Sequence, residues 1–283
     1  MAKLLLGKEV NASINEEIKK KVEELKAQSI TPTLGIIRIG EREDDIAYER
    51  GATKRCETLG VAYEKFLLPA DAKEEEVLKT IDQVNRNEKI HGVLLFRPLP
   101  KHLDEDKIVN ALAVEKDVDG ITDLSMAGVF MGKDMGYAPC TPSACMKVLD
   151  HYGIDCTGKK VVVVGRSLVV GKPAAMMLLK KNATVTICHT RTVDMPSVVK
   201  EADIVVVAAG KAGVIDGSYL REGQIVIDVG INVNDEGKLC GDVKFEEAEK
   251  IVEAITPVPR GVGGVTTSIL LEHVVDAAIA QNR

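Results

Sequence analysis

Tryptophan is absent from this chain, and aromatic residues of all kinds make up only 3% of it. Platforms on which the bases of a single-stranded nucleic acid could stack are therefore not available. Positive charge is also scarce. Lys and Arg number 37 against 43 Asp and Glu, a net charge of −6, and no basic stripe follows a phosphate backbone. Nucleic acid is excluded as a partner on both counts. No apolar run is long enough to span a bilayer, and the opening Met1-Ala-Lys-Leu-Leu-Leu-Gly-Lys8 is too short for a secretion signal, so no membrane is expected. The six cysteines (56, 140, 145, 156, 188 and 240) contain no C-x-x-C pair, and the five histidines join no cysteine cluster. Neither a disulfide framework nor a metal site is expected, and reduced thiols point to the cytoplasm.

What is present has the composition of a soluble globular enzyme: 283 residues, 45% hydrophobic and 28% charged, enough for one large or two medium domains. Ile14, Ile18, Val22 and Leu25 recur at helical spacing, with Ser13 and Glu16 as a capping box. Strands are predicted over 33–39, 61–68 and 90–96, separated by helices over 46–59 and 74–87. Such a βαβαβ series predicts parallel pairing through right-handed crossovers. Pro139-Cys-Thr-Pro142 marks a break and opens a helix to about Tyr152. Further strands are predicted over 160–164, 184–188, 204–208 and 224–228, with a helix over 173–181 and a last helix over 266–281. The fold class is α/β, two lobes around a cleft, the C-terminal one a Rossmann-like doubly wound parallel sheet. Whether strands 61–68 and 204–208 lie at an edge or in the centre is not distinguished by periodicity.

The segment Lys160-Val-Val-Val-Val-Gly-Arg-Ser-Leu-Val-Val-Gly-Lys-Pro173 carries the most chemistry. Four consecutive valines read as a strand buried on both faces. Gly165 ends it, and Pro173 opens a helix. A glycine-punctuated strand-to-helix turn aims free N–H groups and a positive helix end at an anion, usually a dinucleotide pyrophosphate. About twenty residues on, where NAD enzymes place an acidic residue for the ribose hydroxyls, stand Thr190 and Arg191. A hydroxyl and a cation fit a 2′-phosphate, so NADP is the expected cofactor. A merely structural turn with solvated arginines is the alternative.

Together these and other blocks resemble the methylenetetrahydrofolate dehydrogenase/cyclohydrolase family across nearly the whole chain. They are Tyr48, Pro98-Leu-Pro100, Lys116-Asp-Val-Asp-Gly120, Pro139-Cys-Thr-Pro142, Val164 to Pro173, Asp228-Val-Gly-Ile-Asn232 and Thr256-Pro-Val-Pro259. The resemblance implies a folate-binding catalytic domain (1–140 plus 267–283), an NADP-binding Rossmann-like domain (141–266) and a homodimer. It also implies that Tyr48 and Asp119 serve catalysis and bind the folate, that Pro98, Leu99 and Thr266 line the substrate, and that Gly165, Arg166, Ser167, Gly171, Thr190, Arg191 and Ile231 contact NADP. From composition alone, a helix cap or turn residue is the favoured reading of Asp119, and a half-buried helix aromatic is an equal alternative for Tyr48.

The departures from the family pattern are as informative. Where members carry Pro-Ala-Ser this chain has Glu43-Asp44-Asp45, and the family's lysine four residues after the tyrosine is Ala52. The glutamine that supports that lysine is Phe96, followed by Arg97. Lys54 lies roughly 120° around the helix from Tyr48. Arg55 returns to the Tyr48 face about 10 Å further along, but a guanidinium is a poor general base. Arg260 and Gly264-Val265 also replace the family's residues in the last turn.

Hydride transfer from the methylene carbon needs alignment, because the adjacent nitrogen lone pair expels the hydride and no proton moves. Hydrolysis of the resulting methenyl cation needs a general base. An NADP-dependent dehydrogenase with cyclohydrolase activity lost or weak is therefore expected. The competing readings are a bifunctional enzyme in which Arg55, Lys54 or Asp45 moves the proton, a silent folate or dinucleotide sensor, and a hydroxy-acid or shikimate-type dehydrogenase.

Overall fold

Local signals set the element boundaries in the computed structural model, which describes residues 1–234 and 236–282. Asp235 and Arg283, which fall inside the expected domain ranges, lie outside the described residues. Along the chain come β1 (Lys3–Leu4), α1 (Gly7–Ala27), β2 (Thr33–Ile39), α2 (Glu43–Leu59), β3 (Ala62–Leu68), α3 (Glu74–Arg86) and β4 (Gly92–Leu95). The short helices α4 (Glu105–Val109) and α5 (Asp123–Met131) lead to α6 (Cys140–His151), β5 (Lys160–Val164), α7 (Gly171–Lys180), β6 (Thr184–Cys188), α8 (Met195–Lys200) and β7 (Ile204–Val207). The chain closes with β8 (Ile225–Asp228), β9 (Asn232–Val233), β10 (Leu239–Cys240), α9 (Phe245–Ala248), β11 (Ala254–Ile255) and α10 (Gly263–Gln281).

One compact unit comprises Ser13–Cys140 and Thr267–Arg283. Its sheet has the order β3-β2-β4, parallel throughout. Strand β2 is central and almost wholly buried, while β3 is an edge strand with most of its residues exposed. Helix α2 begins with Glu43, Asp44 and Asp45, whose charges complement the positive helix end, and stops at Gly60 in the left-handed conformation. Its buried face holds Asp45, Glu49, Ala52, Thr53, Cys56 and Leu59. Charge on that face is compensated. Glu49 accepts from Arg38 on β2 and Lys65 on β3, both at 2.8 Å. Burial pushes the Glu49 carboxyl up, but the hydrogen bonds and positive charges of Lys65 and Arg38 together outweigh it and hold it below its ordinary value.

The second unit comprises Met1–Ala12 and Thr141–Thr266. Its six-stranded sheet has the order β1-β11-β8-β7-β5-β6 and every pairing is parallel. The chain runs outward from β5 to β6 and then crosses back to β7, so the doubly wound sheet switches direction beside β5, where such sheets bind ligands at their carboxyl ends. Strand β7 is central and fully buried.

Two expectations are corrected here. The first twelve residues, assigned from sequence to the first domain, belong with the six-stranded sheet, because Lys3 and Leu4 pair with Ala254 and Ile255 at its edge. The Ser13–Glu16 capping box does not start a helix, since α1 begins at Gly7. Val10 is buried like Ile14 and Ile18, so the apolar stripe simply extends one turn further back.

Candidate active site

The three-stranded unit gathers Tyr48, Phe96, Asp119, Cys140 and Thr267. Tyr48 sits on α2 with 36% of its surface exposed. Its ring meets Phe96 edge to face, the centroids 5.9 Å apart and the planes at 83°. Phe96 is fixed because its N–H continues the β4 ladder to Ile37 O at 3.0 Å. The Tyr48 hydroxyl, the enclosed end of the side chain, bonds the side chain of Thr267. Burial pushes this phenol well above its ordinary range, with Asp119 and Cys140 adding to the effect.

The two aspartates of Lys116-Asp-Val-Asp-Gly120 have different partners. Asp117 is wholly buried and accepts from the N–H groups of Ile121 and Thr122 and from the hydroxyls of Thr122 and Ser125, at 2.6–2.9 Å. Lys116 donates its ammonium to the carbonyls of Val84 and Asn87, both at 2.8 Å. Asp119 instead meets the Cys140 thiol. Burial pushes its carboxyl up to about 6, against the opposing hydrogen bond from the Cys140 thiol; Asp117 raises it further and Arg97 lowers it. Cys140 is held as a neutral thiol, its pKa raised by burial and by Asp119. His273 Nδ1 lies 2.8 Å from Val118 O, so that nitrogen carries the proton and cannot draw one from Cys140, 3.9 Å away. His273 Nδ1 therefore does not activate Cys140.

Ala52 is fully buried on the Tyr48 side of α2, and Lys54 is exposed. Asp45 is buried, and burial raises its carboxyl against Arg42, 3.9 Å away, and Arg38. Arg42 also donates to Pro98 O at 3.2 Å, while Glu105 accepts from Leu99 N at 2.8 Å and faces Arg97 at 3.7 Å, so the Arg97–Leu99 turn is clamped from two sides. Pro98 is exposed on that turn, whereas the Leu99 side chain packs in the core and its N–H is already engaged. Thr266 belongs to the six-stranded unit; the threonine that reaches Tyr48 is its neighbour, Thr267. Cys140 and Thr267 escaped sequence reasoning. Pro139-Cys-Thr-Pro142 was visible as a motif, but only folding brings the thiol to Asp119.

In the six-stranded unit, the carboxyl ends of β5, β6 and β8 bring together Gly165, Arg166, Ser167, Thr190, Arg191 and Ile231, with Gly171 opening α7. Gly165 adopts φ +127, and a Cβ there would lie 2.1 Å from Ala208 O. A Cβ on Gly171 would fall 2.3 Å from Gly165 O, so only glycines allow the turn to close. Ser167 shapes the turn, its hydroxyl accepting from Val170 N at 3.1 Å and its carbonyl from Lys172 N at 3.0 Å. The N–H groups of Arg166 to Val169 have no acceptor among the described residues. That cradle of donors fits a diphosphate. Thr190 and Arg191 are exposed at the end of β6, and Ile231 is 66% exposed after β8.

Two buried carboxylates brace these loops. Asp242 accepts from the N–H groups of Ala209, Gly210 and Lys211 and from the Asn232 amide, at 2.6–2.9 Å. Asp228 accepts from Gly230, Asp242 and Val243 N–H at 2.9–3.0 Å. Burial pushes the Asp228 carboxyl up to about 6 despite these bonds.

Residues 5–119 match the catalytic domain, and residues 139–282 the NAD(P)-binding domain, of tetrahydrofolate dehydrogenase/cyclohydrolase. The chain belongs to this family. It is 52% identical over 279 residues to the bifunctional protein FolD of Carboxydothermus hydrogenoformans, a match covering 98% of this chain and 97% of that one. Among solved structures, the bifunctional FolD enzyme of Campylobacter jejuni superposes with a TM-score of 0.96 at 39% identity, covering 99% of both chains. The Trypanosoma brucei methylenetetrahydrofolate dehydrogenase-cyclohydrolase, complexed with NADP and an inhibitor, gives a TM-score of 0.93 at 33% identity, covering 100% of this chain and 99% of that one. Membership accounts for an α/β chain carrying a catalytic and an NAD(P)-binding domain.

Proposed function

We propose that this protein oxidises 5,10-methylenetetrahydrofolate to the 5,10-methenyl cation with NADP, and that it hydrolyses that cation weakly or not at all. The observation that carries the second clause is the apolar wall beside Tyr48. Ala52 is fully buried and Phe96 stands edge-on to the tyrosine, so no ammonium or amide faces the ring from those two positions. Bound at the Gly165–Gly171 turn, NADP supplies the hydride acceptor. The chain's own residues have a positioning task. Tyr48 offers a ring face to the folate, the ionised Asp119 accepts from the amino-pterin edge, and Pro98 borders the substrate from its clamped turn. Thr190 and Arg191 hold the 2′-phosphate. Hydrolysis would need a group that takes a proton from water near neutrality. Tyr48 is pushed upward, Cys140 is a buried thiol, and a guanidinium stays charged.

A bifunctional enzyme is the second reading, favoured by the half-identical relatives that bear that name. A homodimer is also proposed, on the strength of the exposed edge strand β3 with Tyr63 and Leu67. A cytoplasmic location is supported by the six unpaired cysteines.

The test is a near-ultraviolet time course with 5,10-methylenetetrahydrofolate and NADP at neutral pH, resolving NADPH from methenyltetrahydrofolate. The two rising one for one is the expected result. NADPH rising while methenyl stays low and 10-formyltetrahydrofolate accumulates would overturn the loss of hydrolysis.

A further inference from the structure

We propose that Arg55 is a substrate-binding residue, its guanidinium holding an acceptor oxygen of the reduced folate beside Tyr48. The inference rests on the folate reading above and adds a contact that reading does not contain. Arg55 is half-buried on α2, and one of its nitrogens, Nη1, donates to Ser268 Oγ at 2.6 Å. No carboxylate lies within ion-pair distance of it among the described residues. Every other buried or half-buried cation of this unit is compensated. Arg38 bonds Glu49 and Gly40 O, Lys116 bonds two carbonyls, Lys21 meets Asp276 at 2.7 Å, and Arg97 faces Glu105.

A guanidinium carries five N–H donors in a planar fork, and withdrawing it from water with donors unspent is unfavourable until an acceptor arrives. The side chain is also aimed. Ser268 is wholly buried and bonded to Asn15 Oδ1 at 3.3 Å, which fixes the hydroxyl that Arg55 grips. Thr267, the preceding residue, bonds the Tyr48 hydroxyl, so adjacent residues of α10 present the phenol and the guanidinium together. The two groups lie within electrostatic range of each other. Burial lowers the Arg55 pKa and Tyr48 opposes that shift; a guanidinium remains a cation at neutral pH.

A reduced folate offers two kinds of oxygen to such a fork: the lactam oxygen of the pterin and the carboxylates of the glutamate tail. Both accept from guanidinium. A permanent cation at this place anchors substrate without being able to move a proton, which is what a site restricted to hydride transfer requires.

The experiment measures steady-state kinetics of wild type, Arg55→Ala and Arg55→Lys with NADP, on 5,10-methylenetetrahydrofolate and on the pteroate analogue lacking the glutamate. NADP affinity is titrated separately by NADPH fluorescence. The folate KM of Arg55→Ala is expected to rise about tenfold to hundredfold with kcat within about threefold and NADP affinity unchanged, and Arg55→Lys is expected to recover part of the loss. A penalty of equal size on both substrates assigns the lactam oxygen; one that disappears on the pteroate assigns the tail. An unchanged folate KM on both substrates, or a fall confined to kcat, overturns the proposal. If Arg55→Ala does not fold, Arg55→Gln is read by the same criteria. A wild type that turns over neither substrate refutes the functional reading instead, and calorimetric titration of the folate into wild type and variant then decides on Arg55 alone.

Discussion

Replacing Asp119 with asparagine is expected to give a more stable protein and a poorer enzyme, each effect with its own pH signature. The carboxyl titrates near 6 in the folded chain against 3.8 for the free group, chiefly because burial disfavours its charge. A folded value above the unfolded one means that the group's contribution to stability is fully present below pH 3.8. It declines as pH rises and is lost above about 6. At about 1.4 kcal/mol per unit, ionising Asp119 costs the folded state about 3 kcal/mol at pH 7.5 and about 1 kcal/mol at pH 4.5. Asparagine keeps the shape and escapes the charge. The Asp119→Asn variant should therefore gain about 2 kcal/mol over wild type between the two pH values, roughly 4–8 °C in melting temperature. Thermal unfolding followed by circular dichroism at pH 4.5 and 7.5 measures this. In the proposed function the same charge accepts from the amino-pterin edge, so kcat/KM for the folate should drop about tenfold to hundredfold at neutral pH. The wild-type profile should fall below about pH 6, and that of the variant should stay flat. A melting increment identical at both pH values, or a variant less stable at pH 7.5, would refute the account of Asp119 as a desolvated, ionised acceptor.

Three further outcomes follow from the geometry. Ala52→Lys alone should leave 10-formyltetrahydrofolate production at background, since Phe96 gives the new ammonium no polar partner, whereas adding Phe96→Gln should raise it measurably. Arg191→Ala should weaken NADP about tenfold to hundredfold and leave NAD unchanged in equilibrium titrations; equal losses for both would place Arg191 away from the 2′-phosphate. Glu49→Ala strands the buried Arg38 guanidinium and should cost about 3 kcal/mol in denaturant unfolding, while the paired change Arg38→Leu with Glu49→Leu should cost little.

The parts of the fold that could be read from sequence are those in which the hydrophobic effect writes a pattern. The valines of β5 and the alternating helices and strands of the first half announced parallel sheets because long, two-sided burial demands such runs. Strands β1 and β11 could not be read that way, since two residues carry no period and their pairing depends on partners some 250 positions apart. The edge position of β3 and the central one of β7 likewise emerge only from the assembled order. The turn at Gly165 was legible because close backbone approach forbids a Cβ. Arg55 was legible only as a poor base. Its lack of a counter-charge is a property of the packed neighbourhood and not of its spacing from Tyr48. The difference between Asp117 and Asp119 has the same origin, because both occupy one short motif and only their partners separate a turn-former from an acceptor.

The pairing of Lys3 with Ala254 also fixes an order of events during synthesis. Strand β1 belongs at the rim of a sheet whose adjoining strand is made about 250 residues later. At about 5–20 residues per second, β1 waits on the order of ten seconds or more before its neighbour exists. Until then the opening residues have no ladder to join, and once β11 emerges its outer edge stays open until they arrive. Strand β1 acts as a late closure, so disrupting its pairing should expose that rim and promote self-association even with every residue of the nucleotide turn intact.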